Sequence, residues 1–283
     1  SSSSIALVIS RRCKVPCAPS GVSVIRLPVI PVSARLRPRF LYEIGLFLES
    51  CVISLFTLIR FKPDVVVGFG SIDSVPVVFL AWFLRIHTII HEQNATPGKA
   101  NQFLSKLVDR IAVSFEKTKQ LFNVDQSKIL YTGNFLRSTM AHVSRDEAYS
   151  FFGFPNKVMT ILVTGGSQGS FLLNRTFIKS LPCWAMNRPI NIIHISGSEN
   201  YKEVEEFYRT AGFSAKVFAF LDAMHYAYTI SDCVISRAGA TTIAELIRFA
   251  CPAILVPYPY AYAHQKANAH VLVDAGCAVE LSD

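Results

Sequence analysis

Two glycine-containing turns in the second half of the chain have the residue types that hold a diphosphate. The first, residues 165–170 (GGSQGS), follows an apolar run that ends at Thr164. The second, residues 238–240 (AGA), lies between a short run ending at Ser236 and a helical pattern at 241–248. A helix N-terminus presents unpaired amide hydrogens and the positive end of the helix dipole. If both turns follow strands of one sheet, they lie at the same edge of that sheet. We then expect both of them to bind one pyrophosphate.

Glu245, within the helix that follows the second turn, extends this site to a nucleotide, because a carboxylate can accept hydrogen bonds from a pair of sugar hydroxyls. The first turn lacks the Lys-Ser/Thr ending of a P-loop and the spacing of the dinucleotide fingerprint. No acidic residue ends the next apolar run, 190–196, where an NAD ribose needs one. Taken alone, the first turn is also explained by tight strand-to-helix packing.

A third cluster of polar residues, 91–94 (HEQN), follows another apolar run and is expected at the carboxyl end of a strand. His91 and Glu92 are the visible candidates for a base that accepts a proton from an attacking hydroxyl. A structural histidine is the alternative for His91 alone, whereas the whole cluster favours function. His87 and His91 would be about 13 Å apart on a strand, too far to bind one metal ion. Residues 96–97 (TP) predict the N-cap and first turn of a helix.

The elements that must position these residues are β-branched runs that alternate with helical stretches. This alternation predicts parallel sheets with helical crossovers, in two doubly wound, Rossmann-like α/β domains. We expect the boundary in the polar stretch 133–157, with domains at 1–136 and 137–283. Both ends of the chain are expected to be incomplete, since it lacks an initiator Met and closes on a strand-like segment. The predicted strands are 64–67, 86–91, 110–114, 128–132, 158–164, 190–196, 215–220, 232–236 and 253–256.

Composition limits the class of protein. With 283 residues, 51% hydrophobic and 17% charged, the chain is globular rather than disordered. The net charge of +8 favours an anionic partner or membrane surface, with a solvated basic surface as the alternative. The basic residues are dispersed and no recognition module is present, so we expect no nucleic-acid partner. The seven cysteines are scattered, which predicts no metal site. No signal peptide or uninterrupted apolar stretch of about 18 residues is present, which favours a cytoplasmic setting.

A membrane contact is predicted in the first half of the chain. Arg35, Arg37 and Arg39 precede an apolar stretch at 40–61 with helical periodicity. A basic flank beside an apolar helical face can dock on anionic lipid. We assign the membrane contact to the arginines, and favour an ordinary crossover helix packed on its sheet for the apolar stripe. The stripe comprises Leu41, Ile44, Leu48, Val52, Leu55 and Ile59.

Several sequence blocks together resemble the MurG-type family, the undecaprenyldiphospho-muramoylpentapeptide β-N-acetylglucosaminyltransferases of bacterial cell-wall synthesis. The resemblance runs in order from about Pro63 to the end of the chain. The blocks are HEQNATPGKAN at 91–101, GNFLR at 133–137, VTGGSQGSFLLN at 163–174, FLDAM at 220–224, SRAGATTIAE at 236–245 and PYPYAYAHQKANA at 257–269.

The resemblance implies a GT-B glycosyltransferase that transfers N-acetylglucosamine, with inversion, from UDP-N-acetylglucosamine to lipid I, forming lipid II for peptidoglycan. It implies a peripheral enzyme at the cytoplasmic face of the inner membrane, without metal or cofactor. Leu221 would meet the uracil through its backbone, Glu245 would bind the ribose hydroxyls, and Asn94 would reach the donor. Gln265 would hold hydroxyls of the transferred sugar. The diphosphate and the sugar would be lined by Arg137, Gly166, Ser167, Gln168, Ala240, Thr241, Thr242, Ile243 and Ala244.

The chain departs from the family pattern in places. Nothing matches the family's N-terminal glycine-rich loop that ends in His, the stronger candidate for the base by resemblance. Residues 70–72 read GSI where the family has two glycines and a tyrosine, and Phe135 replaces a proline. Two alternatives therefore stay open beside the lipid I transferase: another UDP-sugar transferase or epimerase of the same fold, and a non-catalytic UDP-sugar binding protein.

Overall fold

The computed structural model describes residues 4–11, 21–28, 40–166, 168–184, 189–259 and 264–282. These residues form two compact units, Ser1–Gln93 with Pro97–Thr132, and Asn94–Thr96 with Gly133–Asp283. The units change over at Thr132 and Gly133, close to the boundary expected at 136/137. The strands are β1 Ile5–Ser10, β2 Val22–Leu27, β3 Val65–Gly68, β4 His87–Glu92, β5 Arg110–Val113, β6 Ile129–Tyr131, β7 Met159–Thr164, β8 Ile190–Ile195, β9 Ser214–Phe218, β10 Cys233–Ser236, β11 Ala253–Leu255 and β12 Ala278–Glu280.

Nine α-helices connect these strands within the described residues. Short 3₁₀ helices occur at Ile72–Ser74, Glu116–Leu121 and Gln126–Lys128. The α-helices are α1 Phe40–Phe61, α2 Val75–Phe83, α3 Lys99–Leu104, α4 Arg145–Phe152, α5 Phe171–Trp184, α6 Tyr201–Ala211, α7 Met224–Ile230, α8 Ala240–Phe249 and α9 His264–Val273.

The first unit contains a four-stranded parallel sheet in the order β3-β4-β5-β6, and a separate parallel pair of β1 with β2. Its core gathers apolar residues of α2, β4 and β5, among them Val78, Ile90 and Ile111, which are fully buried. β1 and β2 are absent from the sequence-based prediction. β1 has no buried residue and β2 has one, Leu27, so neither strand has the burial on both faces that β7 Met159–Thr164 and β8 Ile190–Ile195 have.

Helix α1 is exposed along the stripe that was expected to pack on a sheet, and that expectation is wrong. Ile44, Leu48, Val52, Leu55 and Ile59 are exposed, with 67% of Val52 accessible. Among the side chains of α1 that the structure describes, residues 42–61, the buried ones are instead two serines and one leucine, on the face turned toward α2. The side chain of Leu41, also part of the predicted stripe, lies outside the described ones. Small side chains let two helices approach closely, and α1 is apolar on several faces, so periodicity did not indicate which face packs. The buried residues are Ser50, Ser54 and Leu58.

The second unit contains a six-stranded parallel sheet in the order β12-β11-β10-β7-β8-β9. The first strand of this sheet in sequence, β7, lies in its middle. The chain continues outward through β8 and β9 and then returns to the other side of β7 at β10. This reversal of strand order is a switch point, where parallel sheets open a crevice at their carboxyl ends. β7 and β8 are buried almost throughout, as their apolar sequences predict. The predicted α/β class with parallel sheets is confirmed.

Candidate functional site

The two glycine turns follow neighbouring strands of the second unit. β7 and β10 pair in parallel, and Thr164, the last residue of β7, lies opposite Ser236, the last residue of β10. The turns at 165–170 and 238–240 therefore leave the sheet side by side, at the edge where the strand order reverses. This part of the sequence-based expectation is confirmed. That the turns bind a diphosphate stays a prediction.

The first turn is shaped by close backbone approaches that require glycine. A Cβ on Gly165 would collide with the backbone of Ser170, and a Cβ on Gly169 would collide with the carbonyl oxygen of Ser196. Gly169 also has a positive φ of 77°, which favours glycine. The loop after β8 thus packs directly beneath the turn. By contrast, nothing lies within 4 Å of a Cβ built on Gly166, so the turn is open on that side.

The second turn ends in a helix N-terminus without a side-chain cap. Gly239 is the N-cap of α8, in an extended conformation, and no side chain accepts from the first turn of the helix. The first intrahelical bond runs from the amide of Ile243 to the carbonyl of Gly239. The amides of Ala240, Thr241 and Thr242 precede that bond and have no acceptor within the helix. Ile243 itself is buried in the core with its amide in use, so we leave it out of the proposed contacts.

Arg237 connects the two turns, a role that the sequence reasoning missed. The arginine is 7% exposed. Its guanidinium donates to Ser170 Oγ at 2.8 Å and to the carbonyl oxygen of Val256 at 3.0 Å, and lies over the ring of Tyr258 at 5.5 Å. A buried guanidinium held by two acceptors and a ring keeps its orientation. The sequence feature that could have indicated this role is the position of Arg237 directly after the predicted strand 232–236.

Glu245 lies on α8 beneath the second turn and is partly buried. Tyr228 of α7 donates a hydrogen bond to Glu245 Oε2 at 2.8 Å. Burial raises the pKa of Glu245, whereas the Tyr228 hydroxyl and the Arg137 guanidinium lower it. Arg137 is exposed and pairs with Asp222 at 3.5 Å, so its charge acts near Glu245 without being buried. The structure thus brings Arg137 and Glu245, two predicted site residues, into one electrostatic environment.

Asn94 and Gln265 are held by polar contacts within the second unit. Asn268, fully buried on α9, donates to Asn94 Oδ1 at 3.1 Å and to the Ala238 carbonyl oxygen at 3.2 Å. Asn268 Oδ1 accepts from the Ala95 amide at 2.8 Å. The side chain of Asn268 therefore fixes the Asn94 side chain and the Ala95 backbone beside the second turn, a role that was not predicted from the sequence. Gln265 Oε1 accepts from the Tyr258 amide at 2.8 Å, which orients its amide group.

The remaining predicted binding residues of the second unit differ in their solvent exposure. Leu221 follows β9 and is 7% exposed, and its backbone contact with the uracil stays a prediction. Gln168 is exposed at the first turn, and Ser167 lies outside the described residues. Ala244 is partly buried on α8.

The two candidate bases lie in the first unit and are almost fully buried. His91 is 1% exposed and its ring lies 6.0 Å from the ring of Phe69, between centroids. Glu92 is 3% exposed, and its Oε2 accepts from the Gly98 amide at 3.0 Å and from Asn101 Nδ2 at 2.8 Å. These contacts give Glu92 a structural task at the start of α3. The catalytic assignment of both residues stays a prediction.

The start of α3 corrects another expectation. Gly98, rather than Thr96, is the N-cap, and the helix begins at Lys99. A glycine cap has no side-chain acceptor, and Glu92 supplies the oxygen that accepts the Gly98 amide from a neighbouring strand. Sequence reasoning looks for the cap within the same segment and could not find this one. Among the residues that the structure describes, no group of His, Cys, Asp and Glu is arranged to hold a metal ion.

Comparison with protein families matches two domain models of one family. The N-terminal domain model of glycosyltransferase family 28 matches residues 4–113, and the C-terminal domain model of the same family matches residues 160–283. The glycine turns, Arg237, Glu245 and Asn268 all fall within the C-terminal match.

Curated relatives carry one shared name, UDP-N-acetylglucosamine--N-acetylmuramyl-(pentapeptide) pyrophosphoryl-undecaprenol N-acetylglucosamine transferase. The protein of Halothermothrix orenii is 42% identical over 232 residues, 79% of this chain and 62% of the relative. That of Protochlamydia amoebophila is 42% identical over 76% of this chain and 57% of the relative. The chain thus spans about three fifths of the length of these relatives.

Solved structures agree with the predicted fold. The crystal structure of Acinetobacter baumannii MurG is 28% identical, with a TM-score of 0.69, over 92% of this chain and 70% of that one. A UDP-GlcNAc 2-epimerase from Neisseria meningitidis, bound to UDP-GlcNAc, is 14% identical with a TM-score of 0.58 over 97% of this chain and 86% of that one, which shows the fold alone. The predicted GT-B fold class is confirmed.

Proposed function

The chain belongs to glycosyltransferase family 28 as a MurG-type member, and we propose that it transfers N-acetylglucosamine from UDP-N-acetylglucosamine to lipid I, forming lipid II for peptidoglycan. The observation that carries this proposal is the pair of glycine turns on adjacent strands, joined by Arg237 and flanked by Glu245. A nucleoside diphosphate fits such a site: amides for the phosphates and a carboxylate for the ribose.

The chemistry proposed for this site is stabilisation of a departing UDP. In an inverting transfer, the acceptor hydroxyl attacks the anomeric carbon from the face opposite the diphosphate and loses its proton to a base. The bond between the anomeric carbon and the diphosphate oxygen breaks, and negative charge grows on the leaving phosphate. We propose that the amides of Ala240, Thr241 and Thr242, at the start of α8 where no side chain caps the helix, oppose that charge together with the guanidinium of Arg137. The three amides are held in place by α8 before the reaction, so they would stabilise the transition state without reorganisation, and we propose that no cofactor takes part.

Binding and turnover measurements test the proposal. We expect calorimetry to show that the chain binds UDP and UDP-N-acetylglucosamine. UDP release should then require a lipid I analogue, which separates the proposal from its alternatives. UDP release or sugar interconversion without lipid I would favour another transferase or an epimerase. Tight binding of the UDP-sugar without any turnover would favour a non-catalytic binding protein, and absence of binding would overturn the proposed site itself.

We further propose that α1 docks the chain on an anionic membrane surface, at the cytoplasmic face of a bacterial inner membrane. Residues Tyr42–Phe61 form one apolar helical segment with a mean hydropathy of 1.8, of which 17% is buried. By length and composition this segment is long and apolar enough to cross a membrane. The neighbouring helix α2 also exposes two aromatic residues, Trp82 and Phe83. Arg35, Arg37 and Arg39, the arginines expected to bind lipid, lie outside the described residues.

Liposome flotation tests the docking. Leu48, Val52 and Phe56 follow one another at four-residue spacing on the exposed face of α1. Because burial of each such side chain in lipid is worth roughly 1.5 to 3 kcal/mol, the triple change to glutamate should abolish flotation with anionic vesicles. The matched control is Leu121→Glu, at an equally exposed leucine of the first unit. Equal flotation of the triple variant and the wild type would contradict docking through α1.

A further inference from the structure

We propose that Tyr228 is a positioning residue that makes Glu245 selective for a ribose over a 2′-deoxyribose. The inference rests on the proposed UDP-sugar site and assigns to a second residue the recognition of its nucleoside part. Tyr228 does not itself contact the nucleotide in this proposal. It acts by holding one oxygen of the Glu245 carboxylate, so that the other oxygen is presented to the sugar hydroxyls.

Tyr228 is rigidly held in the core of the second unit. The residue is 2% exposed, and its ring stacks on the ring of Phe249 with centroids 5.5 Å apart and planes inclined by 19°. Its backbone carbonyl accepts from the Ser231 amide and the Cys251 thiol, each at 3.3 Å. Because both ends of the residue are fixed, the hydroxyl has one well-defined position between α7 and α8.

The hydroxyl of Tyr228 can only act as the donor in its contact with Glu245. Burial and the neighbouring carboxylate raise the pKa of Tyr228 well above its usual range, so the phenol keeps its proton. The O–H therefore donates to Glu245 Oε2 at 2.8 Å. A hydrogen bond from a fixed phenol to a carboxylate is charge-assisted and prevents the carboxylate from rotating.

The second oxygen of Glu245 is left for a ligand. Within the described part of the chain, no further hydrogen-bond donor reaches the carboxylate. A partly buried carboxylate with one oxygen satisfied by protein has a remaining demand for donors, since burial disfavours an unpaired charge. Two adjacent sugar hydroxyls meet that demand, and a 2′-deoxy sugar supplies one hydroxyl fewer. Loss of the Tyr228 hydroxyl would let the carboxylate turn and bind either sugar with similar affinity.

Tyr226 is a matched control for Tyr228. It lies on the same helix and also donates to a glutamate, from Tyr226 Oη to Glu147 Oε1 at 2.7 Å. That pair is exposed and Glu147 belongs to α4, away from the glycine turns. Tyr226→Phe therefore removes an equivalent Tyr–Glu hydrogen bond without touching Glu245.

The experiment compares UDP with 2′-deoxy-UDP by calorimetry in the wild type, Tyr228→Phe and Tyr226→Phe. We expect the wild type and Tyr226→Phe to bind UDP about tenfold more tightly than 2′-deoxy-UDP, the factor that corresponds to one hydrogen bond to a charged group. Tyr228→Phe should reduce that ratio to within about threefold and also weaken UDP binding. Circular dichroism verifies folding, and Tyr228→Met, with a flexible apolar side chain of similar reach, substitutes if the phenylalanine variant does not fold.

The outcomes separate this inference from the proposed function. If the wild type does not bind UDP, the proposed function fails, and this inference fails with it. If the wild type prefers UDP but folded Tyr228→Phe keeps the same preference, the positioning role of Tyr228 is overturned and the UDP site stands. An equal loss of preference in Tyr226→Phe would also overturn the inference, because the effect would not be specific to the Glu245 contact.

Discussion

At the scale of single residues, the proposed ribose contact of Glu245 can be tested directly by mutation. Glu245→Ala should weaken UDP binding by about 1 to 3 kcal/mol, since the ribose hydroxyls lose their acceptor and the Tyr228 hydroxyl is left without one. The fold should survive, because Glu245 is only partly buried. Calorimetry measures the affinity, with Glu203→Ala on the exposed face of α6 as control. Unchanged UDP affinity would remove Glu245 from the site.

Residues recognisable from the sequence were those whose type alone suggests a ligand. Glu245 was identified because a carboxylate in the helix after a glycine turn can accept hydrogen bonds from two sugar hydroxyls. Arg237 and Asn268 were missed, because their roles depend on which backbone carbonyls lie near them, and those carbonyls belong to segments distant in sequence. Glu92 is the opposite case. Its residue type suggested a catalytic base, whereas its hydrogen bonds with Gly98 and Asn101 show that it stabilises the start of α3.

At the scale of the elements, a buried chain of hydrogen bonds supports the first glycine turn. Asn174 of α5 donates to the Ser196 carbonyl oxygen at 2.8 Å, so its Oδ1 accepts from His194 Nε2 at 3.0 Å. His194 Nδ1 must then accept from the Tyr208 hydroxyl, at 2.9 Å. This series of hydrogen bonds links α6, β8 and α5 to the Ser196 carbonyl oxygen, which Gly169 approaches closely.

Removal of one donor from this chain should destabilise the second unit. Tyr208→Phe leaves His194 Nδ1 buried without a hydrogen bond, and we expect a loss of about 1 to 3 kcal/mol in the free energy of unfolding. Urea unfolding followed by circular dichroism measures it. The control, Tyr201→Phe, removes an exposed hydroxyl on the same helix that bonds to Glu205, and should change stability little. Equal stability of Tyr208→Phe and the wild type would contradict a supporting role for the chain of hydrogen bonds.

β7 and β8 were predictable because parallel strands covered on both faces have unbroken apolar sequences. β1 and β2 lack that burial and were missed. The orientation of α1 was also beyond the sequence, since its apolar residues cover more than one face and its buried contacts include Ser50 and Ser54. Element type follows from local pattern, whereas the packed face depends on the partner.

At the scale of the whole molecule, the sequence predicted two α/β units from alternating strands and helices, and the structure contains two. The assignment of residues 94–96 to the second unit was not predictable, because it depends on Asn268, far along the chain. The net charge of +8 is a property of the entire surface and suits the anionic substrates and membrane proposed above. The change of stability with pH, in contrast, is expected to depend on one buried residue.

That residue is His194, whose burial lowers its pKa to about 3. The unfolded chain binds a proton at this residue near pH 6.5, whereas the folded chain does so only near pH 3, so the unfolded state holds more protons between these values. Stability from the neutral histidine is therefore full above about pH 6.5 and is lost as the pH falls toward 3, by an amount on the order of 5 kcal/mol at about 1.4 kcal/mol per pH unit. His194→Gln cannot titrate, so urea unfolding over this range should show a shallower pH dependence for the variant than for the wild type. Parallel curves for the two proteins would mean that His194 does not couple the stability of the molecule to pH.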